Sequence, residues 1–480
     1  VRRTIRELLG GYAEPLGLDD IAVTGVAYRS DQVSVGDAFF CIQGFAHDGH
    51  DFAADALSRG ASAVVVQRPL DVAAPQFLVE DTRIALAMAS AVAFGDPSGS
   101  LSVVGITGTN GKTTTTYLVD SILRAAGHAT GLVGTVETRI AGQRFPSTRT
   151  TPESTDIQSL LARMVESGVS SCSMEVSSHA IDLHRVDAVH FAVAAFTNLT
   201  QDHLDFHHTI EEYYSVKKRL FTDLDVGQSV INTDDPFGVG IASESEGCLT
   251  VGRNASAMVR AENEQMDERG TAFILTTPTA RVPVRLPLAG AYNVSNALVA
   301  AGCALALEID VGTIVSGLES APQVPGRLER IDCGQPFLVV VDYAHTPDSL
   351  EKAISAVRDV TGGRVITVFG CGGDRDPDKR PMMGQAAAAS SDHVIVTSDN
   401  PRSEDPVVII LQIEDGLRGG SATYELEVDR RSAIRRALSL ATDGDAVLIA
   451  GKGHEDYQIF ADRTVHFDDR EVAREVLTSC

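Results

Sequence analysis

Short apolar runs rich in valine and isoleucine recur along this chain, and each stops at polar or glycine-rich residues. In the first hundred residues "ASAVVVQ" and "PQFLVE" read as strands, set among helical stretches such as "DFAADALSRG". A second group, "LSVVGIT", "SCSMEVSS", "FAVAAFTNL" and "QSVINTDD", alternates with helical patterns. That alternation predicts a parallel sheet with crossover helices. A third group follows: "FLVVVDYAH", "RVITVFGCGG", "HVIVTSDNP" and "DAVLIAGKGH". Each of its runs ends in polar or glycine-rich residues, so one sheet would lay its functional side chains along a single carboxyl edge.

Two breaks separate the groups. "FGDPSGS" (Phe94 to Ser100) is a Gly/Pro/Ser linker, and "APQVPGRLER" (Ala321 to Arg330) interrupts the pattern again. At 480 residues the chain is too long for one core. The expectation is an α/β protein of three domains, 1–98, 99–325 and 326–480, with hinges near 95–100 and 320–327. No internal repeat or low-complexity tract stands out.

Composition narrows the class. A hydrophobic fraction of 44% with 22% charged residues is that of a soluble globular protein. No apolar run is long enough to span a bilayer, and "VRRTIRELLGGYAEP" has no signal-peptide core. The seven cysteines are scattered, without C-x-x-C or metal spacing, which fits reduced thiols in the cytoplasm. A net charge of −25 argues against nucleic acid as a partner. Any phosphate site must therefore be locally basic.

Such a site is present in "VVGITGTNGKTTTTYLV". Gly108 and Gly111 let the backbone present N–H groups to an anion at a helix N-terminus. Lys112 adds charge, and the Thr113 hydroxyl can hold Mg²⁺. Ile106 occupies the place of the first glycine of the strict motif, so this is a P-loop variant. Kinase, motor, switch and ligase remain open at this point, although the base-reading N-K-x-D of GTPases is absent. Further groups follow: Glu175, Ser177, Ser178 and His179 in "SMEVSSHAIDLHRV", and Asn198, Asp202 and His203 in "TNLTQDHLDFH". Lys217 and Lys218 lie in the helical "EEYYSVKKRLF". A carboxylate, an imidazole and a lysine downstream of a P-loop point to a metal–phosphate site.

These stretches, with "LAGAYNVSNALVA", resemble the Mur ligase family, in order and through all three segments. "GCGGDRDPDKRP", "SDNPRSEDP" and "AGKGHEDYQ" resemble the members that attach a diamino acid. The resemblance implies a smaller UDP-binding N-terminal domain, a central ATPase domain and a Rossmann-like C-terminal domain carrying the amino acid. It implies that ATP phosphorylates the carboxylate of UDP-N-acetylmuramoyl-L-alanyl-D-glutamate and that an amine then attacks the acyl-phosphate. On this basis Gly108, Thr109, Asn110, Gly111, Lys112, Thr113 and Thr114 hold the nucleotide. Asn293 and Asn296 lie beside adenine, and Arg327 and Asp342 beside phosphates and ribose. Two Mg²⁺ sites involve Thr113, Glu175, His203 and Lys217, with Lys217 carboxylated on its amine. Ser30, Thr150, Thr151, Ser177 and Arg185 contact the UDP-linked dipeptide, and "GFAHDGHDF" matches the loop that closes on it. Leu183 stands where many relatives have glutamine, and Arg29-Ser30-Asp31 stands where Asp-Ser-Arg is common. Rival readings are a folylpolyglutamate synthase-like ligase and a P-loop NTPase that ligates nothing. Small molecules are the expected partners, and a monomer is the default.

The amino acid is decided at Asp399-Asn400-Pro401-Arg402. Read locally, this is a turn with an arginine on it. Read within the family, Arg402 is the group that tells meso-diaminopimelate from lysine, because a guanidinium grips the distal carboxylate bidentately. Arg375, Asp399, Asn400, Pro401, Gly451 and Glu455 line the same pocket by resemblance. The expected substrate is meso-diaminopimelate, with L-lysine or LL-diaminopimelate as the alternatives.

Overall fold

A computed structural model describes residues 2–10, 12, 14–15, 20–45, 47–267 and 269–479. Three main sheets organise the described residues. The N-terminal sheet has five short strands in the order Glu14–Pro15, Gln76–Leu78, Ala63–Val66, Ala38–Phe40, Val26–Ala27. All its neighbours are parallel except the first pair. The helix Thr82–Ala93 packs on it, started by Asp81, whose carboxylate accepts the backbone N–H groups of Arg83 and Ile84.

The central sheet has eleven strands. Its middle is parallel: Thr130–Val133, Ser171–Glu175, Ser102–Thr107, Phe191–Phe196, Val226–Asn232 and Leu249–Gly252 lie side by side. Glu175 pairs with Ile106, and Phe196 with Thr107. The P-loop, the Glu175 turn and the Thr197–Asn198 turn therefore leave the sheet at one level of its carboxyl edge. The core on one side joins the helices Lys112–Ala125 and Ala291–Ala306 to buried Val104, Ile106, Val193 and Val230.

One expectation needs amending. The central sheet is mixed, with an antiparallel hairpin, Glu137–Ile140 and Gln143–Pro146, at one end. At the other end Val259–Asp267, Gly270–Thr276 and Arg281–Leu286 form an antiparallel meander. Residues 259–267 alternate between more and less exposed positions, which suits a half-solvated antiparallel strand.

The C-terminal sheet runs Glu329–Arg330, Leu338–Asp342, Ala446–Ala450, Val365–Phe369, His393–Val396, Thr423–Leu426, parallel after its first pair. Asp342 pairs with Ala450, and Phe369 with Val396. The turns at 343, 370, 397 and 451 thus share one edge, and that edge faces the central P-loop. Among the described residues no helix is long and apolar enough to cross a membrane.

Candidate active site

The P-loop is fixed by contacts that only glycine permits. Gly108 and Gly111 have φ of 147° and 86°. A Cβ on Gly108 would stand 1.9 Å from Thr197 Oγ1, and one on Gly111 would stand 2.2 Å from Asn296 Oδ1. The Asn110 backbone N–H donates to Asn198 Oδ1 at 2.9 Å, and Asn110 Nδ2 donates to Asp348 of the C-terminal domain at 3.2 Å. Lys112 Nζ donates to the carbonyls of Gly108 and Thr109, both at 2.8 Å. Burial lowers the Lys112 pKa, and Glu175 and Asp202 oppose that shift.

Glu175 is the buried carboxylate of the site. Its Oε2 accepts from the Thr113 hydroxyl at 3.0 Å and the Thr135 hydroxyl at 3.0 Å, while Oε1 accepts the Thr135 N–H at 2.8 Å. Thr135 Oγ1 is 3.0 Å from Thr150 Oγ1. Thr151 donates to the Glu175 carbonyl at 2.8 Å and accepts the Ser177 N–H at 3.0 Å. Arg185 donates to the Thr151 carbonyl at 3.2 Å. Thr113, Glu175, Thr150, Thr151, Ser177 and Arg185 are therefore brought together in one hydrogen-bonded cluster.

The two lysines of "SVKKR" part on the helix Ile210–Thr222, one turned inward and one outward. Lys217 is 1% exposed, donates to the Gly108 carbonyl at 2.9 Å and lies 4.7 Å from the centre of the Tyr213 ring. Burial holds its pKa well below the usual lysine range, and Lys112 pushes it the same way. Lys218 turns outward to Glu244 at 2.8 Å. His203 sits 3.4 Å from Asp202 and edge-on to His179. Burial lowers its pKa, and Lys112 and Lys217 add to the shift.

Between the central and C-terminal domains lies a cavity of about 320 Å³. Asn110, Gly111 and Thr114 line one end, Asn293 and Asn296 another, and Arg327 and Asp342 close it. Arg327 Nη2 donates to Thr113 Oγ1 at 3.2 Å, and its guanidinium lies over Tyr343. Asp342 accepts the N–H groups of Leu328 and Ala344 at 2.7 and 2.8 Å, while burial pushes its carboxyl up.

The C-terminal edge gathers the remaining expected residues. Asn400 Nδ2 donates to Glu455 Oε2 at 2.8 Å, and a Cβ on Gly451 would stand 2.7 Å from Asp399 Oδ2. Arg402 has a left-handed backbone, φ 53°, held by its N–H on the Ile459 carbonyl at 3.0 Å. Its Nη1 donates to the Gly373 carbonyl at 2.7 Å, leaving Nε and Nη2 without a protein acceptor among the described residues. Arg375 is exposed at the rim, where its Nη1 donates to the carbonyl of Asp374. Burial pushes the Glu455 carboxyl up, while Lys452 opposes the shift.

Ser30 stands apart from this cluster, at the start of a short turn in the N-terminal domain. Its neighbours Arg29 and Asp31 pair with each other at 2.8 Å, 53% and 57% exposed. Ala46 of the Gly44 to Phe52 loop lies outside the described residues, and Phe45 packs edge-on against Phe206 of the central domain.

Several further residues join the site without a local sequence signal. Glu153, buried, binds three arginines: Arg185 at 2.9 Å, Arg149 at 3.0 Å and Arg83 of the N-terminal domain at 3.2 Å. Tyr28 donates to Asp156 at 2.7 Å across the same junction. Buried Lys452 lies 3.3 Å from Glu455 and 3.4 Å from Asn400 Oδ1. Buried His345 holds its Nδ1 2.8 Å from the Tyr343 carbonyl, and burial lowers its pKa against the pull of Asp202. Glu153 lies two residues after Thr151, but only the fold brings its three cations together.

The described residues contain no cluster of three His, Cys, Asp or Glu side chains that would hold a metal by themselves. Mg²⁺ more commonly takes one or two carboxylates, with waters and phosphate oxygens completing its shell. Thr113 Oγ1 and Glu175 Oε2, beside Lys112 and the cavity, are hard oxygen donors of that kind.

Family comparisons agree with this geometry. Residues 106–304 match the Mur ligase middle domain, 326–453 the Mur ligase glutamate ligase domain, and 22–94 the Mur ligase family catalytic domain. The UDP-N-acetylmuramoyl-L-alanyl-D-glutamate–2,6-diaminopimelate ligase of Bacillus licheniformis is 45% identical over 96% of both chains. The ligase of the same name from Geobacillus thermodenitrificans is 46% identical over 94% of both. A solved structure of a ligase so named superimposes with a TM-score of 0.72 at 30% identity, covering 100% of this chain and 99% of that one. The chain belongs to the Mur ligase family of ATP-dependent ligases.

Proposed function

We propose that this protein joins meso-diaminopimelate to UDP-N-acetylmuramoyl-L-alanyl-D-glutamate at the expense of ATP, in cytoplasmic synthesis of peptidoglycan precursors. The observation that carries the reading is Arg402, whose guanidinium keeps two N–H faces for a ligand at the sheet edge where amino acids would bind. The names of relatives similar along nearly the whole chain support it. We assign residues 1–98 to the UDP moiety, 99–325 to ATP and 326–480 to the amino acid, in a monomer.

The chemistry follows from the arrangement. A carboxylate oxygen of the dipeptide attacks the γ-phosphorus of ATP, and ADP leaves. The amine of diaminopimelate then attacks the acyl carbon, the bond to phosphate breaks, and the amine proton passes to solvent. Two anions must meet first, so Lys112 and Arg327 supply fixed positive charge beside the P-loop N–H groups. Thr113, Glu175, His203 and Lys217 would hold Mg²⁺, which supplies further neutralisation of the triphosphate. Ser177, Thr150, Thr151 and Arg185 orient the dipeptide. Asp399, Asn400 and Glu455 face the distal ammonium of the incoming amino acid, while Arg402 and Arg375 face its carboxylate.

Lys217 carries a carbamate in this reading. Its buried amine is held toward the neutral form, the form that adds to CO₂. In enzyme equilibrated with ¹³C-bicarbonate, a carbamate carbon resonance is expected that disappears in Lys217→Arg and persists in Lys218→Arg. A spectrum identical in wild type and Lys217→Arg would remove the assignment.

Glu153 acts on the dipeptide through Arg185. Each charge-assisted hydrogen bond lost is worth about 1.5–3 kcal/mol, so Glu153→Gln should raise the KM for the UDP-linked dipeptide roughly tenfold or more. The KM for ATP should stay in place. Equal rises in both would mean general loss of folding.

The deciding assay is phosphate release with ATP, the dipeptide and single amino acids. Release is expected with meso-diaminopimelate and little with L-lysine or LL-diaminopimelate. Turnover indifferent to both dipeptide and amino acid would leave a P-loop NTPase that ligates nothing.

A further inference from the structure

We infer that Arg380 and Glu404 are specificity-determining positioning residues, which aim Arg402 at the distal carboxylate of the amino acid. This rests on the reading of Arg402 given above. Arg380 is 1% exposed and grips Glu404 with both terminal nitrogens, at 2.9 and 2.8 Å. It also donates to Gln412 Oε1 at 2.6 Å and to the Gly372 carbonyl at 3.3 Å. Glu404 Oε1 accepts, besides Arg380, the backbone N–H of Asp374 at 2.6 Å.

The segment so held is the one Arg402 leans on. The Gly373 N–H donates to the Asn400 carbonyl at 2.9 Å, and the Gly373 carbonyl accepts Arg402 Nη1 at 2.7 Å. Asp374 accepts from the Ser403 N–H at 3.2 Å and the Ser403 hydroxyl at 2.5 Å. Three consecutive residues, 372 to 374, are thus fixed by Arg380, Asn400, Arg402, Glu404 and Ser403. A Cβ on Gly373 would stand 1.9 Å from the Pro401 carbonyl, so the two loops touch through backbone.

Asp374 and Arg402 both hold left-handed backbones, φ 54° and 53°, without being glycine. Such conformations persist only where the surroundings over-determine them. Bidentate recognition of a carboxylate depends on the position of the guanidinium plane, which a loose loop would not hold. Arg380 is buried but the Glu404 side chain is 31% exposed, and a partly solvated pair adds little to stability by itself. Here the pair directs its hydrogen bonds at the loop that seats the selective arginine.

The test compares wild type, Glu404→Gln and Asp374→Gly by initial rates over meso-diaminopimelate and L-lysine, with melting temperatures alongside. Asp374 is exposed, and glycine keeps its left-handed backbone, so this variant is built to fold. The kcat/KM ratio of meso-diaminopimelate over lysine should fall about tenfold or more in Glu404→Gln and by a smaller factor in Asp374→Gly. KM values for ATP and the dipeptide should stay within about twofold, because neither group touches those sites. A folded Glu404→Gln with the wild-type ratio overturns the inference. If Glu404→Gln does not fold, Asp374→Gly decides, and an unchanged ratio there overturns it equally. A wild type that does not prefer meso-diaminopimelate counts against the proposed function. A preference kept by both variants counts against the inference alone.

Discussion

Replacing Arg402 by alanine should raise the KM for meso-diaminopimelate steeply while leaving the KM for ATP and for the dipeptide nearly in place. Truncating one partner of a buried charge-assisted pair costs about 2–5 kcal/mol, which is roughly thirtyfold at the least in affinity. The loss is confined because Arg402 hangs from Gly373 and Ile459, both in the C-terminal domain. The Lys112 and Glu175 cluster is built from other elements. Lysine has no distal carboxylate, so its poor turnover should change little, and selectivity should collapse through the preferred substrate. Alanine keeps the strain that arginine already bears at φ 53°, where any side chain is disfavoured. Arg402→Gly relieves that strain while removing the same charge, and should show the same KM. If either variant still discriminates as wild type does, Arg402 is a turn residue and the substrate assignment fails with it.

Sequence carried the fold as far as local pattern reaches. "LSVVGIT" becomes Ser102–Thr107 and "SCSMEVSS" becomes Ser171–Glu175, because short apolar runs closed by polar turns between helical patterns suit buried parallel strands. The antiparallel meander of 259–286 departs from the expected parallel sheet, and its alternation is written in "VRAENEQMD". Lys217 and Lys218 differ by one residue, and one helical step turns a side chain about 100°. The buried Tyr213, four residues before Lys217 on the same face, is what distinguishes them.

Long-range ion pairs were beyond reach. Arg380 and Glu404 are 24 residues apart, and Arg185 and Glu153 come from different turns of the central domain. Nothing in a single sequence says that these arginines are buried, since charged residues lie outside by default. The exchanged order of Arg29 and Asp31 was legible as a departure. Its outcome, two charges that satisfy each other on the surface, follows only from the fold.

Asp469→Ala should be the most destabilising single change in the C-terminal domain. Arg430 and Asp469 are both 0% exposed and share two hydrogen bonds of 2.7 Å. Burial works against the charge on Arg430, but Asp469 outweighs it and holds the guanidinium pKa above its usual value. An arginine does not escape by deprotonating, so removing the carboxylate strands a buried cation, at a cost of about 3–5 kcal/mol. The same guanidinium donates to the Ala450 carbonyl at 2.9 Å and the Ser398 carbonyl at 3.4 Å, the residues just before Gly451 and Asp399. The pair therefore ties together the ends of two strands that open the proposed amino-acid pocket. Urea unfolding should show the midpoint falling in Asp469→Ala with the slope kept. The double variant Arg430→Leu/Asp469→Leu should recover most of that loss, because apolar packing replaces an ion pair without leaving a charge behind. It should not recover the KM for meso-diaminopimelate, since the two carbonyls lose their common donor. A single variant that loses less than about 1 kcal/mol would mean that the pair is hydrated like a surface bridge. A double variant with wild-type KM would mean that the strand ends hold the pocket without it.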